Sequence, residues 1–237
     1  YDIEIKGGKT LILQNPMIIS HALKLTSGFI KSTSTNLLTL SAACTVSGGS
    51  SSSFIKGPVK KVGNTAFTFP LGGESSFKPL SISASGSVSD AFIAEHFSAI
   101  QPMGLTRSGL TYTSMCEYWN LSRTAGSSNV TVALSWDSYS CDVYTLSTLK
   151  IGRWNGTAWE DVGSVATTGN TTTGTIITSS AQSSFGNFLI AKNSPAVIAN
   201  AGSDATISLG SSTTLGGSPA ASGGTSPYTY RWAPIYG

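Results

Sequence analysis

Two histidines and three cysteines stand among the 237 residues, and their spacing decides what chemistry is open to them. His21 and His96 lie in unrelated contexts, with no second His or Cys at ligand spacing. They read as surface or satisfied core histidines and hold no metal. No Gly-x-Ser-x-Gly elbow occurs, and Ser47 to Ser53 is a low-complexity loop, so no serine nucleophile is assigned. Gly7-Gly8-Lys9 lacks the rest of a phosphate-binding loop and reads as a turn. The expectation is a non-catalytic chain without a cofactor.

Carboxylates and aromatic rings are the remaining candidates. Glycosidases need two carboxylates flanking one bond, but Glu160 and Asp161 are adjacent on a strand and point to opposite faces. Glu117, Asp137 and Asp142 are placed where they can gather at one end of a sheet and offer oxygen ligands to Ca2+. The absence of an Asp-x-Asp spacing favours solvated loop carboxylates. Trp119, Trp136, Trp154 and Trp159, with Tyr112, Tyr118, Tyr139 and Tyr144, are the rings able to stack on sugars. Trp154 and Trp159 flank an Asn-Gly turn and are the named candidates for a glycan platform, against a favoured reading as cross-strand packing. Cys116 and Cys141 bracket an expected hairpin running from Glu117 to Trp136, where a disulfide would add about 3 kcal/mol. Free buried thiols are an equal alternative for that pair, and Cys44 reads as a small core residue.

The elements that must carry these side chains are strands. Charged residues are 11% of the chain, less than half the roughly 25% usual for a globular domain. Ser and Thr together occupy 68 positions, while hydrophobic residues hold 40%. Scattered cations and a net charge of +3 exclude a basic nucleic-acid footprint, and no apolar run is long enough for a spanning helix. Short β-branched and aromatic runs divided by Gly, Asn, Ser and Pro predict an all-β protein. Asp90 to Ile100 alone shows helical spacing, in Phe92, Ile93, His96, Phe97 and Ile100.

Three regions are expected. Residues 1–61 carry short runs with Gly or Ser-Thr corners, and Leu23 to Ile30 is echoed by Leu38 to Val46, which suits the end of a β-solenoid. A long sandwich edge is the runner-up there. Residues 62–192 read as an antiparallel β-sandwich, with a hairpin turning at Asn155-Gly156. Residues 193–237 read as a linker followed by strands at Ala205–Leu209, Ser212–Leu215 and Tyr228–Trp232 of a second, incomplete sandwich. Strand-like patterns at both termini suggest an excerpt of a longer chain.

Several motifs carry a resemblance. "EYWNLSRTAGSSNVTVALSWD", "LKIGRWNGTAWEDVGS" and "SSFGNFLIAK" resemble a module of very large surface proteins of the Bacteroidetes phylum, and "VGNTAFTFPLGGESSFKPLSIS" resembles the segment that precedes it. "NAGSDATISLGSSTTLGGSPAASGGTSPYTYRWAP" resembles the first half of a PKD-like or gliding-adhesin-type immunoglobulin-like repeat. The resemblance implies a secreted, cell-surface adhesin exported by type IX secretion. Its partners would be neighbouring domains of the same chain, glycans, surfaces or secretion-system components, with no nucleic acid and no membrane insertion. The alternative is a carbohydrate-binding module of a secreted polysaccharide-degrading enzyme, and a third reading is a cargo held by its translocon.

Overall fold

Runs of three or four residues between short corners that hold Gly, Ser, Thr, Asn or Pro form nine strands in the first part of the chain: β1 (Asp2–Ile5), β2 (Thr10–Ile12), β3 (Met17–Ile19), β4 (Ala22–Leu25), β5 (Gly28–Lys31), β6 (Leu38–Leu40), β7 (Thr45–Gly48), β8 (Ser53–Lys56) and β9 (Val59–Val62). The computed structural model describes residues 1–74, 76–193, 197–223 and 227–231. Each of these strands pairs in parallel with the one three places along, giving the ladders β1-β4-β7, β2-β5-β8 and β3-β6-β9. The chain returns to the same ladder after 19 residues at the shortest, Thr10 to Phe29, and 25 at the longest, Gly28 to Ser53. Leu23, Ile30, Leu40, Ile55 and Val59 are buried along these ladders, while Lys24 and Lys31 face outward. The register corrects the expected echo: Leu23 pairs with Val46, and Gly28–Lys31 lies on Ser53–Lys56.

Beyond residue 62 the strands pair antiparallel, except that Arg107–Ser108 and Trp159–Asp161 pair in parallel. The strands are β10 (Phe67–Phe69), β11 (Leu80–Ile82), β12 (Ala91–Phe97), β13 (Arg107–Ser108), β14 (Tyr112–Thr113), β15 (Tyr118–Ala125), β16 (Val132–Trp136), β17 (Leu149–Trp154), β18 (Trp159–Asp161), β19 (Ala166–Gly169), β20 (Gly174–Ile177) and β21 (Gly186–Lys192). One sheet has the order β10-β11-β16-β20-β19. The other runs β13-β18-β17-β21-β15-β12-β9-β6-β3, with β14 on β21, so it is continuous with the third parallel ladder. Phe69, Leu80, Leu134 and Ile176 of the first sheet and Phe92, Leu121, Ile151 and Phe188 of the second belong to one buried cluster, which also holds Leu23, Leu40 and Val59. The protein is all-β, and the one helical element among the described residues is a short 3-10 turn at Leu146–Thr148.

Two expectations are corrected. Asp90 to Ile100 is not helical: Ala91–Phe97 is a strand paired on both edges, with β9 and β15. Both its faces carry apolar groups, which imitates a helical spacing; the burial alternates, with Ala94 and His96 buried and Ile93, Glu95 and Phe97 half-buried. Glu117 to Trp136 is not a hairpin, because β15 pairs with β12 and β21 whereas β16 pairs with β11 and β20. The turn-rich stretch between them crosses from one sheet to the other.

The described residues fall into two compact units, Tyr1–Asn193 and Ser194–Gly237. In the second, β22 (Ile198–Ala199) pairs antiparallel with β23 (Ala221–Ser222). The stretches expected as strands at Ala205–Leu209 and Ser212–Leu215 are not strands. Ile207, Leu209 and Leu215 are exposed, so the alternation there buries no face. Tyr228 to Arg231 is likewise irregular, and Trp232 lies outside the described residues.

Candidate functional site

Strand periodicity points three polar side chains, Lys78, Glu117 and His96, into the interior at one end of the two sheets, and Asp137 joins them from the turn after β16, off the inward parity of Val132, Leu134 and Trp136. Lys78 precedes β11 and shares the parity of buried Leu80 and Ile82; Glu117 precedes β15 and shares that of Trp119 and Leu121. His96 lies on β12 directly opposite Trp119, with ring centroids 5.0 Å apart. Asp137 follows the last residue of β16, which itself pairs with β11. The Lys78 carbonyl accepts the Trp119 indole N–H at 3.0 Å, and the Lys78 amide donates to the Leu71 carbonyl at 2.8 Å. The lysine backbone is therefore fixed on both sides.

The charges converge on the ammonium group. Lys78 Nζ lies 2.6 Å from Asp137 Oδ1 and 2.9 Å from Glu117 Oε2, and it donates to Ser140 Oγ. His96 Nε2 is 3.3 Å from Glu117 Oε2, while His96 Nδ1 is buried without a hydrogen-bond partner. The Lys78 side chain is 1% exposed, that of Glu117 5% and that of Asp137 26%. Burial pushes the His96 imidazole below its ordinary value, only partly offset by Glu117. For Glu117 burial acts upward, but the His96 hydrogen bond and the Lys78 charge outweigh it and hold the carboxyl below the usual range. The Asp137 loop is tied by its own amides, with Tyr139 N–H donating to Oδ1 at 2.9 Å and Asp137 N–H donating to Ser140 Oγ at 3.2 Å. A cleft of about 140 Å³ opens beside the cluster, lined by Glu74, Ser98, Cys116 and Tyr139 as well as Lys78 and Glu117.

Cys116 and Cys141 are joined by a disulfide next to this cleft, with Cα atoms 6.0 Å apart. Cys44 is free and buried. Its loop is held by Lys61, whose ammonium donates to the carbonyls of Ser41, Ala42 and Cys44.

The structure separates the three carboxylates considered for Ca2+. Glu117 and Asp137 meet at Lys78, so an internal ammonium takes the cation's place, whereas Asp142 accepts from the Tyr112 hydroxyl. No group of three or more potential metal ligands occurs among the described residues. Glu160 pairs with Arg153, and Asp161 accepts the Gly163 amide. His21 is exposed and bonds Asp2 at 2.5 Å. Gly7 and Gly8 form a turn with φ of 84° and 69°.

Trp154 and Trp159 are a cross-strand pair, but not a flat exposed platform. Their rings are tilted by 59° at 5.6 Å, and Trp159 is fully buried with its N–H bonded to the Gly104 carbonyl at 3.1 Å. Trp159 packs instead with Leu110, Tyr118, Leu189 and Ala191. Trp119 and Trp136 are buried as well. Tyr139 and Tyr144 are the exposed rings of that set, at 71% and 76%.

Sequence reasoning named Glu117, Asp137 and His96 in separate roles and missed Lys78 and Ser140. The available signal was parity: Lys78, Glu117 and His96 each stand on the inward side of a strand whose other inward residues are apolar. No family model, curated protein or solved structure matches this chain.

Proposed function

We propose that this chain is a structural and adhesive segment of a very large secreted cell-surface protein, acting as a rigid, hydroxyl-rich spacer rather than as a catalyst. In this reading residues 1–61 are the end of a β-solenoid, residues 62–192 a β-sandwich, and residues 193–237 a linker with part of a PKD-like repeat. The observation that carries it is β9, which pairs in parallel with β6 on one edge and antiparallel with β12 on the other. A hydrogen-bonded sheet running through this junction leaves no hinge between stack and sheets, which is what a load-bearing spacer requires. The Cys116–Cys141 disulfide supports an oxidising, extracellular setting. Residues from the stack and both sheets share one core, so the spacer is stiffened across Tyr1–Asn193. Its partners in this reading are neighbouring domains of the same chain and the surfaces or secretion components it meets.

Limited proteolysis of the chain tests the spacer. Tyr1–Asn193 is expected to survive as one resistant fragment, and early cleavage near residue 62 that frees the first region would overturn the reading. The exposed rings of Tyr139 and Tyr144 favour a second reading as a carbohydrate-binding module. Titration with a polysaccharide panel, followed by protein fluorescence, separates the two: a saturable response abolished by Tyr139→Ala supports glycan binding, and no response supports the spacer.

A further inference from the structure

We propose that the Lys78 ammonium and the Asp137 carboxylate condense into an intramolecular isopeptide bond, with Glu117 carrying the protons. The inference rests on the buried cluster itself and does not depend on the spacer reading.

The groups are held at reacting distance by rigid elements. Lys78 and Asp137 lie at the ends of the paired strands β11 and β16, whose register sets Leu80 against Leu134. Lys78 Nζ is 2.6 Å from Asp137 Oδ1, so the carboxyl carbon is one bond further on. Such pre-positioning removes the entropic cost that makes amide formation slow between free partners. Burial supplies the driving force. A charged amine and carboxylate kept from water carry a desolvation penalty, and condensation replaces both charges with one neutral amide.

The reaction balances without any added reagent. Glu117 Oε2, at 2.9 Å from Nζ, accepts one proton from the ammonium and leaves a neutral amine. The nitrogen lone pair attacks the Asp137 carboxyl carbon, and charge gathers on Oδ1, where the Tyr139 amide already donates at 2.9 Å. Glu117 passes its proton to the departing oxygen, then carries a second from nitrogen to the same oxygen. The C–O bond breaks, water leaves, and Glu117 ends as the carboxylate it began as. Asp137 is 26% exposed and the cleft adjoins the cluster, so the water has a way out.

The link would tie position 78 to 137, while the disulfide ties 116 to 141. Neither covalent loop contains the other, so the two would interlock at one end of the sheets.

Intact mass spectrometry of the full chain, denatured and reduced, decides it. The expected mass is about 18 Da below the sequence mass, the loss of one water, with tandem spectra showing a peptide that holds Lys78 joined to one that holds Asp137. An unmodified mass overturns the proposal and leaves the cluster as ion pairs alone. A loss of one water without joined peptides, reversed in mild alkali, indicates a cyclised aspartate and overturns it too. Lys78→Arg and Asp137→Ala are expected at full mass. Glu117→Gln, recorded with its circular dichroism to establish folding, is also expected unlinked; a folded Glu117→Gln chain that still carries the link would overturn the role given to Glu117. The wild-type mass decides the bond whether or not that variant folds.

Discussion

In the chain without the Lys78–Asp137 link, taking Lys78, Glu117 and His96 out of water carries a desolvation cost that the ion pairs must recover, so the cluster should be most visible in how stability responds to acid. The folded His96 holds its proton less tightly than its ordinary value of 6.5, because burial outweighs the pull of Glu117. As pH falls past that value, the unfolded chain takes up a proton that the folded chain refuses, and stability drops. Glu117 works in the same direction further down: its folded value lies below 4.5, so its contribution is present above 4.5 and is lost as pH falls through the folded value. Urea midpoints should therefore decline between about pH 7 and 5 and again below the ordinary carboxylate value. His96→Gln should flatten the first decline and leave the second, and a midpoint insensitive to pH in both variants would contradict this account. Parity was the signal available for three residues of the cluster, whereas Asp137 and Ser140 stand in the turn after β16, where no periodicity marks them, and the meeting of the five was not legible. Inward parity marks Lys78, Glu117 and His96 as buried, yet says nothing of which strands lie side by side. That pairing is set by sheet topology.

Strand corners show the same division between what local chemistry fixes and what neighbours fix. Gly48 has φ of +80°, and a Cβ there would stand 2.1 Å from the Leu25 carbonyl oxygen of the ladder strand beside it. Gly8 also has positive φ, at +69°, but a Cβ would meet nothing within 4 Å. Gly8→Ala should therefore carry only the conformational cost of about 1 kcal/mol, and Gly48→Ala that cost plus a clash, roughly 3 kcal/mol or more in total. Denaturant titration of the two variants tests the difference, and equal losses would mean the stack yields at the Gly48 corner. Turns of this kind were legible because glycine reports its own backbone. The Asn155 turn was legible too, although the loop is longer than an Asn-Gly pair: Trp154 pairs with Trp159, and Asn155 Oδ1 accepts the amides of Thr157 and Ala158. The misread elements are those whose neighbours decide. Ala91–Phe97 is packed on both faces, and β15 and β16 are each central strands, so alternation revealed burial but not partner. The true repeat lay in Gly28-Phe29-Ile30-Lys31 against Ser53-Phe54-Ile55-Lys56, hidden by unequal returns of the chain.

Across Tyr1–Asn193, the sheet that continues through β9 predicts cooperative unfolding. The disulfide constrains one place: Cys116 and Cys141 are 25 residues apart, so reduction should release about 3 kcal/mol of loop-closure stabilisation. Comparing the thermal midpoint of the chain with that of the Cys116→Ser/Cys141→Ser variant measures it, and an unchanged midpoint would mean the bonded geometry costs as much as the closure contributes. The parallel stack allows a sharper test, because all five tryptophans lie after residue 61 and none reports on the stack directly. Ile30 is fully buried on β5, in a ladder that contains no tryptophan, and it belongs to the cluster shared with both sheets. Truncating it to alanine should remove about 2–5 kcal/mol. If β9 binds stack and sheets into one cooperative unit, Ile30→Ala will lower the tryptophan fluorescence midpoint in denaturant by the same amount as the midpoint seen by far-ultraviolet circular dichroism. If the stack unfolds by itself, circular dichroism will show an early partial transition while the tryptophan midpoint stays where it was. The hydrogen bonds of β9 to both β6 and β12 favour the first result, since opening the stack must either break the sheet at that strand or take the sheet with it.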